Sequence, residues 1–540
     1  MKKFVLLALL LAAVFTLAAC GSGQQDQQQD QQQDQQQGQQ QDQQQAQTQT
    51  TERPDTWLFD EPLTITMWID ENATFVYEPG LFLERTLGEK LNVFFDIVPI
   101  QENMDERLNL ALASRELPDV YFGINLERAS NFGSLQGALV DLTEYFHMMP
   151  NYLAWAENMG DYPFYFYTAD GGLYMLPNYG YGTASNSTLW YYRQDLFEEL
   201  GLTVPETDEE LYEVLVALKQ AYPDSYPLTL RNWFSTFQPQ FDRIGWQWGT
   251  SHDMYYCNTR QQWVYAQLEP EYREMMEFLQ KLYVEELIPP HSLSIDTAGW
   301  QELIYTNRGF IFNDFQARVD FFNTPMREEN PAVTFAYMTP FAGGSNGVRT
   351  FNPQSQLIIN GPGIFVTSDN IEKIITYFDW LFTPEAELLM SWGIQGETYD
   401  YDSNGNRFHI GMVPGENSFF DLITTFGFFQ RGFYCLVDPL SHTASVASPE
   451  QIYAVSRVVT DSGEYRIPGI TFSEARQDRF NVLNAAISSV SDEGVGMFMT
   501  AQRPMSEWDD FIQELYAAGL EEFIQLHNEQ QAEINALRSN

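Results

Sequence analysis

Between Leu63 and Asn125 two kinds of segment take turns, and that alternation limits the possible folds more than any other feature of the chain. LTITMWID (Leu63 to Asp70) alternates in polarity and is rich in strand formers. GLFLERTLGEKL reads as a helix and NVFFDIVPI as a second strand. NMDERLNLALASREL has apolar residues at helical spacing, and Pro118 just past its end stops it. DVYFGIN reads as a third strand. Strand, helix, strand, helix, strand calls for a parallel sheet with crossover helices, hence a doubly wound α/β domain. The pattern resumes after Pro177. STLWYYR is a strand and QDLFEEL a short helix, with Gly201 as its C-cap. TDEELYEVLVALKQAY opens with Thr207 as N-cap and an acidic first turn. YPLTLR, RGFIFND, VTFAYM and QLIINGPGIFVT are further strands, and the last third is mostly helical.

Ahead of this folded part the chain reads differently. Lys2 and Lys3 precede an apolar run from Phe4 to Ala19. That run is shorter than the ~20 residues a membrane-crossing helix needs, and its layout is that of a secretory signal. Leu17-Ala18-Ala19-Cys20 resembles the bacterial lipobox, which implies cleavage before Cys20 and acylation of that cysteine. The plain alternative is an ordinary signal with a chance cysteine. From Gln24 to about Thr51 the chain is glutamine with spaced aspartates. It has too few apolar residues to offset the entropy of ordering, so residues 20–53 read as a charged tether. A Gln-rich aggregating segment is the other reading, and the regular charges oppose it.

Charge narrows the partners. Lys and Arg total 28 against 74 Asp and Glu, a net charge of −46. Phosphate backbones want cations, so nucleic acid is excluded as a partner, and so is direct adsorption on an anionic membrane. With 44% hydrophobic and 15% aromatic residues, the part beyond Pro54 can bury two cores. Cys257 and Cys435 could pair outside the cell or stay as two free thiols.

Five stretches in register carry a resemblance. LNLALASRELPDVYF, LWYYRQDLFEELGLTVPETDEELYEVLVALK, IYTNRGFIFND, YFDWLFTPEAELLMSWGIQGETYDYDSNGN and WDDFIQELYAAGLEEFIQLHNEQ resemble, in order, segments of bacterial extracellular solute-binding proteins of the maltose-binding type, in their LipO-like lipoprotein branch. The match runs from Leu63 to the C-terminus. RIPGITFSEARQDRF fits only loosely, and lysine is scarce. The resemblance implies a substrate-binding subunit of an ABC importer, monomeric and lipid-anchored on the extracellular face of the membrane beside its permease. It implies a type II fold of two α/β lobes joined by crossover strands, with a helical C-terminal extension. It assigns residues 54–178 and 314–358 to the first lobe, and 179–313 and 359–540 to the second. Crossings are expected near Leu176 to Thr183, Phe310 to Asn313 and Ile358 to Phe365.

Ligands of open α/β sheets sit outside the carboxyl ends of the strands. Those ends nominate Trp68, Asp70, Glu71, Tyr121, Asn125, Asn186, Ser187, Asn232, Trp233, Asn313 and Asp314. Carboxylates and amides can share sugar hydroxyls, while aromatic rings cover the C–H faces, so the mixture suits a carbohydrate. A Trp at a strand end is as often core, and Trp190, Trp392 and Tyr399 read as packing. The rival readings are a surface glycosidase, for which paired carboxylates are plentiful, and a same-fold receptor for a peptide or metal chelate. DYDSNGN opens like an EF-hand, with Asp400, Asp402 and Asn404 as Ca²⁺ ligands, but Gly411 stands where a bidentate Glu is needed. Asn404-Gly405 reads better as a hairpin turn. GGSNG (Gly343 to Gly347) has the spacing of a nucleophile elbow without the following helix. No HExxH, GxGxxG or phosphate-loop motif occurs, and no resident cofactor is expected.

Overall fold

The computed structural model describes residues 58–538 except 72–75, 102–103, 160–165, 180–187, 235–238, 351–356, 359, 429–432, 439–440 and 462–469. The readings of residues 1–57 (leader, Cys20 acylation and tether) therefore lie outside the described residues, as do Asn186 and Ser187. Among the described residues no helix is long and apolar enough to cross a membrane.

Thirteen strands are described, in chain order β1 (Leu63–Asp70), β2 (Val93–Ile100), β3 (Val120–Ile124), β4 (Asn178–Tyr179), β5 (Thr188–Arg193), β6 (Met254–Cys257), β7 (Gln262–Tyr265), β8 (Ile311–Phe315), β9 (Phe335–Met338), β10 (Leu357–Ile358), β11 (Gly361–Ile364), β12 (Tyr399–Tyr401) and β13 (Arg407–His409). β1 to β3 pair in parallel, as the alternation requires, and β11 closes the sheet in the order β11-β3-β1-β2. Every residue of β3 is buried, which suits its central place. A second sheet, in the order β8-β5-β9, has both neighbours antiparallel to β5. Thr207 caps the helix Asp208–Ala221 by accepting from Glu210 N at 3.2 Å, and Gly201 ends the preceding helix at φ 67°.

Each sheet has its own apolar core. The first joins Leu63 through Leu176 with Ile364 through Val446. The second lobe holds two clusters, drawn from residues between Leu189 and Phe341 and from helical residues between Ala454 and Phe523. The assignment of the later segments to lobes is therefore corrected. Of the 314–358 segment, β8 and β9 belong to the second lobe, because they flank β5. β11 belongs to the first lobe, because Ile364 pairs with Val120, and the helix Ile371–Trp380 packs into that core. The second lobe resumes only at the helix Pro449–Asp461. No crossing occurs at Phe310 to Asn313, where Trp190 pairs with Asn313 inside the second sheet.

The return crossing is a two-stranded ribbon. Leu357 pairs with Tyr179 and Ile358 with Asn178. Glycine is required beside it: a Cβ at Gly361 would lie 1.7 Å from the Leu176 carbonyl oxygen. The last crossing follows Val446, which is in the first core, and Ser448 then bonds Asp320 of the second lobe.

Candidate functional site

Register fixes which sheet edges sit at the crossings. Gly361, just past β10, pairs with Ile124 at the carboxyl end of β3. The ends of β1 and β3, where Asp70 and Asn125 lie, are thus on the ribbon side of the first lobe. In the second, Thr188 pairs with Phe315, so the carboxyl end of β8 is level with the start of β5, where the chain enters that lobe.

On the first edge Asp70, Tyr121 and Asn125 form one network around Arg128, an arginine that was not nominated. Tyr121 donates its hydroxyl to Asp70 Oδ1 at 2.8 Å. Arg128 Nη1 donates to the same Tyr121 oxygen at 2.6 Å and to the Gly123 carbonyl at 2.9 Å. Arg128 also holds Asp105, through Nε at 2.7 Å and Nη2 at 3.2 Å. Asn125 accepts from Arg128 N at 2.8 Å, so its side chain caps a helical turn. Burial, then the Asp70 charge, pushes the Tyr121 phenol up, keeping it a donor. Trp68 lies under Arg107, 4.9 Å from its ring centroid. Glu71 accepts from Tyr77 N and Gln101 Nε2, both at 2.8 Å, which turns it to fixing a loop.

On the second edge Asp314 is buried among three arginines. Arg231 grips it with two bonds, at 2.8 and 2.9 Å, Arg318 Nε approaches to 3.3 Å, and Arg243 lies at 4.0 Å. Burial alone would raise the Asp314 carboxyl, but the arginines outweigh it and hold it below its usual range. Arg243 is depressed to about 10 by burial, against the pull of Asp314. Both Asp314 oxygens are engaged, so this residue organises the edge from behind. Trp233 is 1% exposed and packs on Phe241 at 4.8 Å between ring centroids, so it is part of the core. Asn232 precedes it at φ 59° and accepts from Gln240 N at 3.0 Å through its carbonyl.

Among the described residues, Trp190 Nε1, Trp233 Nε1, Gln240 Nε2, Arg243 Nε and Asn313 Oδ1 are buried without a hydrogen-bond partner in this part of the second lobe. Four are N–H donors. Buried donors left unmade cost about 1–3 kcal/mol each, so a cluster of them is a place where oxygen-rich ligand or water belongs.

Residues 89–388 match the family described as bacterial extracellular solute-binding protein. This chain belongs to that family. A stretch of 222 residues is 24% identical to Lipoprotein LipO of Bacillus subtilis (strain 168), covering 38% of this chain and 43% of that relative. Solved structures share the fold over nearly their whole length. Alginate-binding protein AlgQ2 is similar at TM-score 0.71 and 19% identity, over 88% of this chain and 99% of its own. FusA of S. pneumoniae, in complex with kestose, is similar at 0.70 and 16%, over 88% and 100%. An HMO-binding solute-binding protein of Bifidobacterium longum infantis is similar at 0.69 and 15%, over 87% and 99%. These likenesses agree with a type II solute-binding fold.

Arg107, Arg128, Arg231, Arg243 and Arg318 escaped the reading of the sequence. Arg231 ends the quoted YPLTLR, and arginine scarcity in so acidic a chain was the signal to follow. Elsewhere, Asp402 accepts from the backbone of Asn404 and Asn406 at 2.8 Å within the β12–β13 hairpin. Its carboxylate thus closes the turn. Ser345 of GGSNG donates to Glu274 Oε1 at 3.1 Å in a loop, so it is no nucleophile elbow. Cys257 and Cys435 are both free, one half-buried and one in the first core.

Proposed function

We propose that this solute-binding protein is the receptor subunit of an ABC importer and takes an oligosaccharide between its lobes by hinge closure. The observation that carries this is the polar-aromatic edge of the second sheet, with its unpartnered buried donors, at the end where the chain crosses between lobes. Sugar hydroxyls suit N–H donors of this kind. The relatives named above are described as binding alginate, kestose and HMO, which supports a carbohydrate. Ligand touching both lobes favours the closed state, and the permease reads that state. Cys20 carries the lipid, the Gln/Asp tether keeps the receptor near its permease, and the protein acts as a monomer at the outer face of the membrane. It binds its sugar without turning it over.

The test is a thermal-shift and calorimetric screen against oligosaccharides, with peptides as a second panel. A ligand that binds only the native state raises its melting temperature. A shift with one glycan class and an unchanged glycan afterwards is expected. Steady release of reducing ends would replace the receptor with a glycosidase, and a shift with peptides alone would replace the ligand class.

A further inference from the structure

Behind Trp233, across the Phe241 ring, the turn before β6 brings an imidazole and two carboxylates together. His252 Nε2 and one oxygen each from Asp253 and Asp492 all lie within 4.8 Å of one another. His252 and Asp253 come from the turn, and Asp492 from the long helix Glu474–Met499. We propose that these three side chains bind a divalent cation of the zinc class, tying the C-terminal helical region to the second lobe.

The surroundings orient each ligand atom. His252 Nδ1 is occupied by the Tyr272 hydroxyl at 2.7 Å, which leaves Nε2 for an ion. The ring is stacked between Phe241 and Tyr272, at 5.0 and 5.9 Å between centroids, so its direction is fixed. Asp253 Oδ1 accepts from the Tyr265 hydroxyl at 2.9 Å, Gln267 Nε2 at 2.6 Å and Ser491 Oγ at 2.8 Å. That loading turns Oδ2 towards His252 Nε2, 3.6 Å away, too far for a hydrogen bond. Metal-binding imidazoles and carboxylates are held from behind by such partners. His252 is 8% exposed, and its Nε2 faces Asp253 Oδ2 at 3.6 Å.

Charge points the same way. Asp242, half-buried, accepts from Ser251 Oγ at 2.7 Å and from His252 N at 2.8 Å, and adds a third carboxylate beside His252. Three carboxylates beside one imidazole leave net negative charge, which a cation offsets. One nitrogen and two oxygens, with water in a fourth position, suit zinc better than calcium, which takes oxygen ligands alone. Ligand atoms around zinc stand roughly 3.3 Å apart. Asp492 is exposed and can swing in to reach that spacing, and the same exposure gives the ion its entry path.

The test is calorimetric titration of the untagged, chelator-treated full chain with ZnCl₂, in excess Mg²⁺ to occupy ordinary surface carboxylates. One tight site per chain is expected, with a melting temperature that rises with Zn²⁺. Asp492→Asn should weaken that site at least about tenfold while leaving the metal-free melting temperature no lower than that of the wild type. Asp478→Asn, an exposed acid on the same helix, should leave binding intact. Lack of a one-to-one site in the wild type overturns the proposal. So does a site that survives Asp492→Asn, or one that Asp478→Asn weakens equally.

Discussion

Trp190 and Asn313 face each other across β5 and β8, and each buries a polar atom without a hydrogen-bond partner among the described residues. Two such atoms in register at a sheet edge are hard to explain by packing. The oligosaccharide proposed above would satisfy them. Asn313→Leu separates the two accounts. The substitution removes an unpartnered acceptor from a site that is 3% exposed. Stability should hold or rise, since an unmet polar group is replaced by an apolar one, while glycan affinity falls by about 1–3 kcal/mol. Denaturant unfolding and calorimetry on the same variant check both. A destabilised variant with full affinity would make Asn313 structural.

Asp314 should behave in the opposite way. Its carboxylate is the shared counterion of Arg231, Arg243 and Arg318. Asp314→Asn leaves three buried cations unpaired and should cost roughly 3–5 kcal/mol of stability, the range for breaking a buried ion pair. The carboxyl is held below its usual range in the fold, so its contribution is complete above the unfolded pKa of about 3.9 and is lost as pH falls through the depressed folded value. The wild-type and Asn variants should therefore converge in stability only in strong acid. Parallel curves over the whole acid range would refute this role.

Trp233 needs two substitutions for the same reason that the sequence misled about it. With 1% exposure it is core, so Trp233→Ala should destabilise by about 3–5 kcal/mol whatever it does for ligand. Trp233→Phe keeps an aromatic ring against Phe241 and removes only the unpartnered N–H. If that N–H serves the ligand, Phe should weaken glycan binding with a much smaller loss of stability. Equal affinity in the Phe variant would confine Trp233 to packing.

These cases show what the sequence could and could not convey. Local order was legible: the alternation in Leu63 to Asp70, the Thr207 cap and the Gly201 stop all depend on neighbours in the chain. The strand character of Ile311–Phe315 and Gly361–Ile364 was legible too. Their partners were not, because a short apolar strand looks the same in either lobe, and pairing is decided by residues more than a hundred positions away. Strand ends likewise pointed to Asp70, Tyr121 and Asn313. That Asn125 would cap a turn and Asp314 would face inward depends on Arg128 and Arg231, whose approach no spacing announces.

The two thiols of the folded part should differ in reactivity. Burial would raise Cys257, but donation from Arg260 Nε at 3.2 Å and contact with Thr259 outweigh it and lower the thiol. Cys435 is buried in the first core, and desolvation pushes its thiol well up. A thiolate reagent at neutral pH should therefore label Cys257 in the native protein and Cys435 only on unfolding. Rapid native labelling at Cys435, located by peptide mapping, would contradict the packing of that core.

The last crossing should carry a pH dependence of its own. Asp320 accepts from Ser448 N at 2.9 Å and from the Ser448 hydroxyl, just where the chain re-enters the second lobe. Burial pushes the Asp320 carboxyl up to about 6, and the Ser448 donors oppose the rise only in part. An ordinary aspartate ionises near ~3.9 when unfolded. Between these values the folded protein holds the proton more tightly than the unfolded chain does. This group therefore lends stability that is full below the unfolded pKa and lost as pH rises through about 6. The amount is on the order of 3 kcal/mol at most. Repulsion among the many acidic side chains slopes the same way, so the wild-type curve alone cannot isolate Asp320. Asp320→Asn can, since an amide keeps an acceptor for Ser448 and has nothing to ionise. The variant should gain on the wild type as pH rises from 4 to about 6, then run parallel to it above. An unchanged difference across that window, measured by urea unfolding at closely spaced pH, would remove Asp320 from the pH response of the hinge.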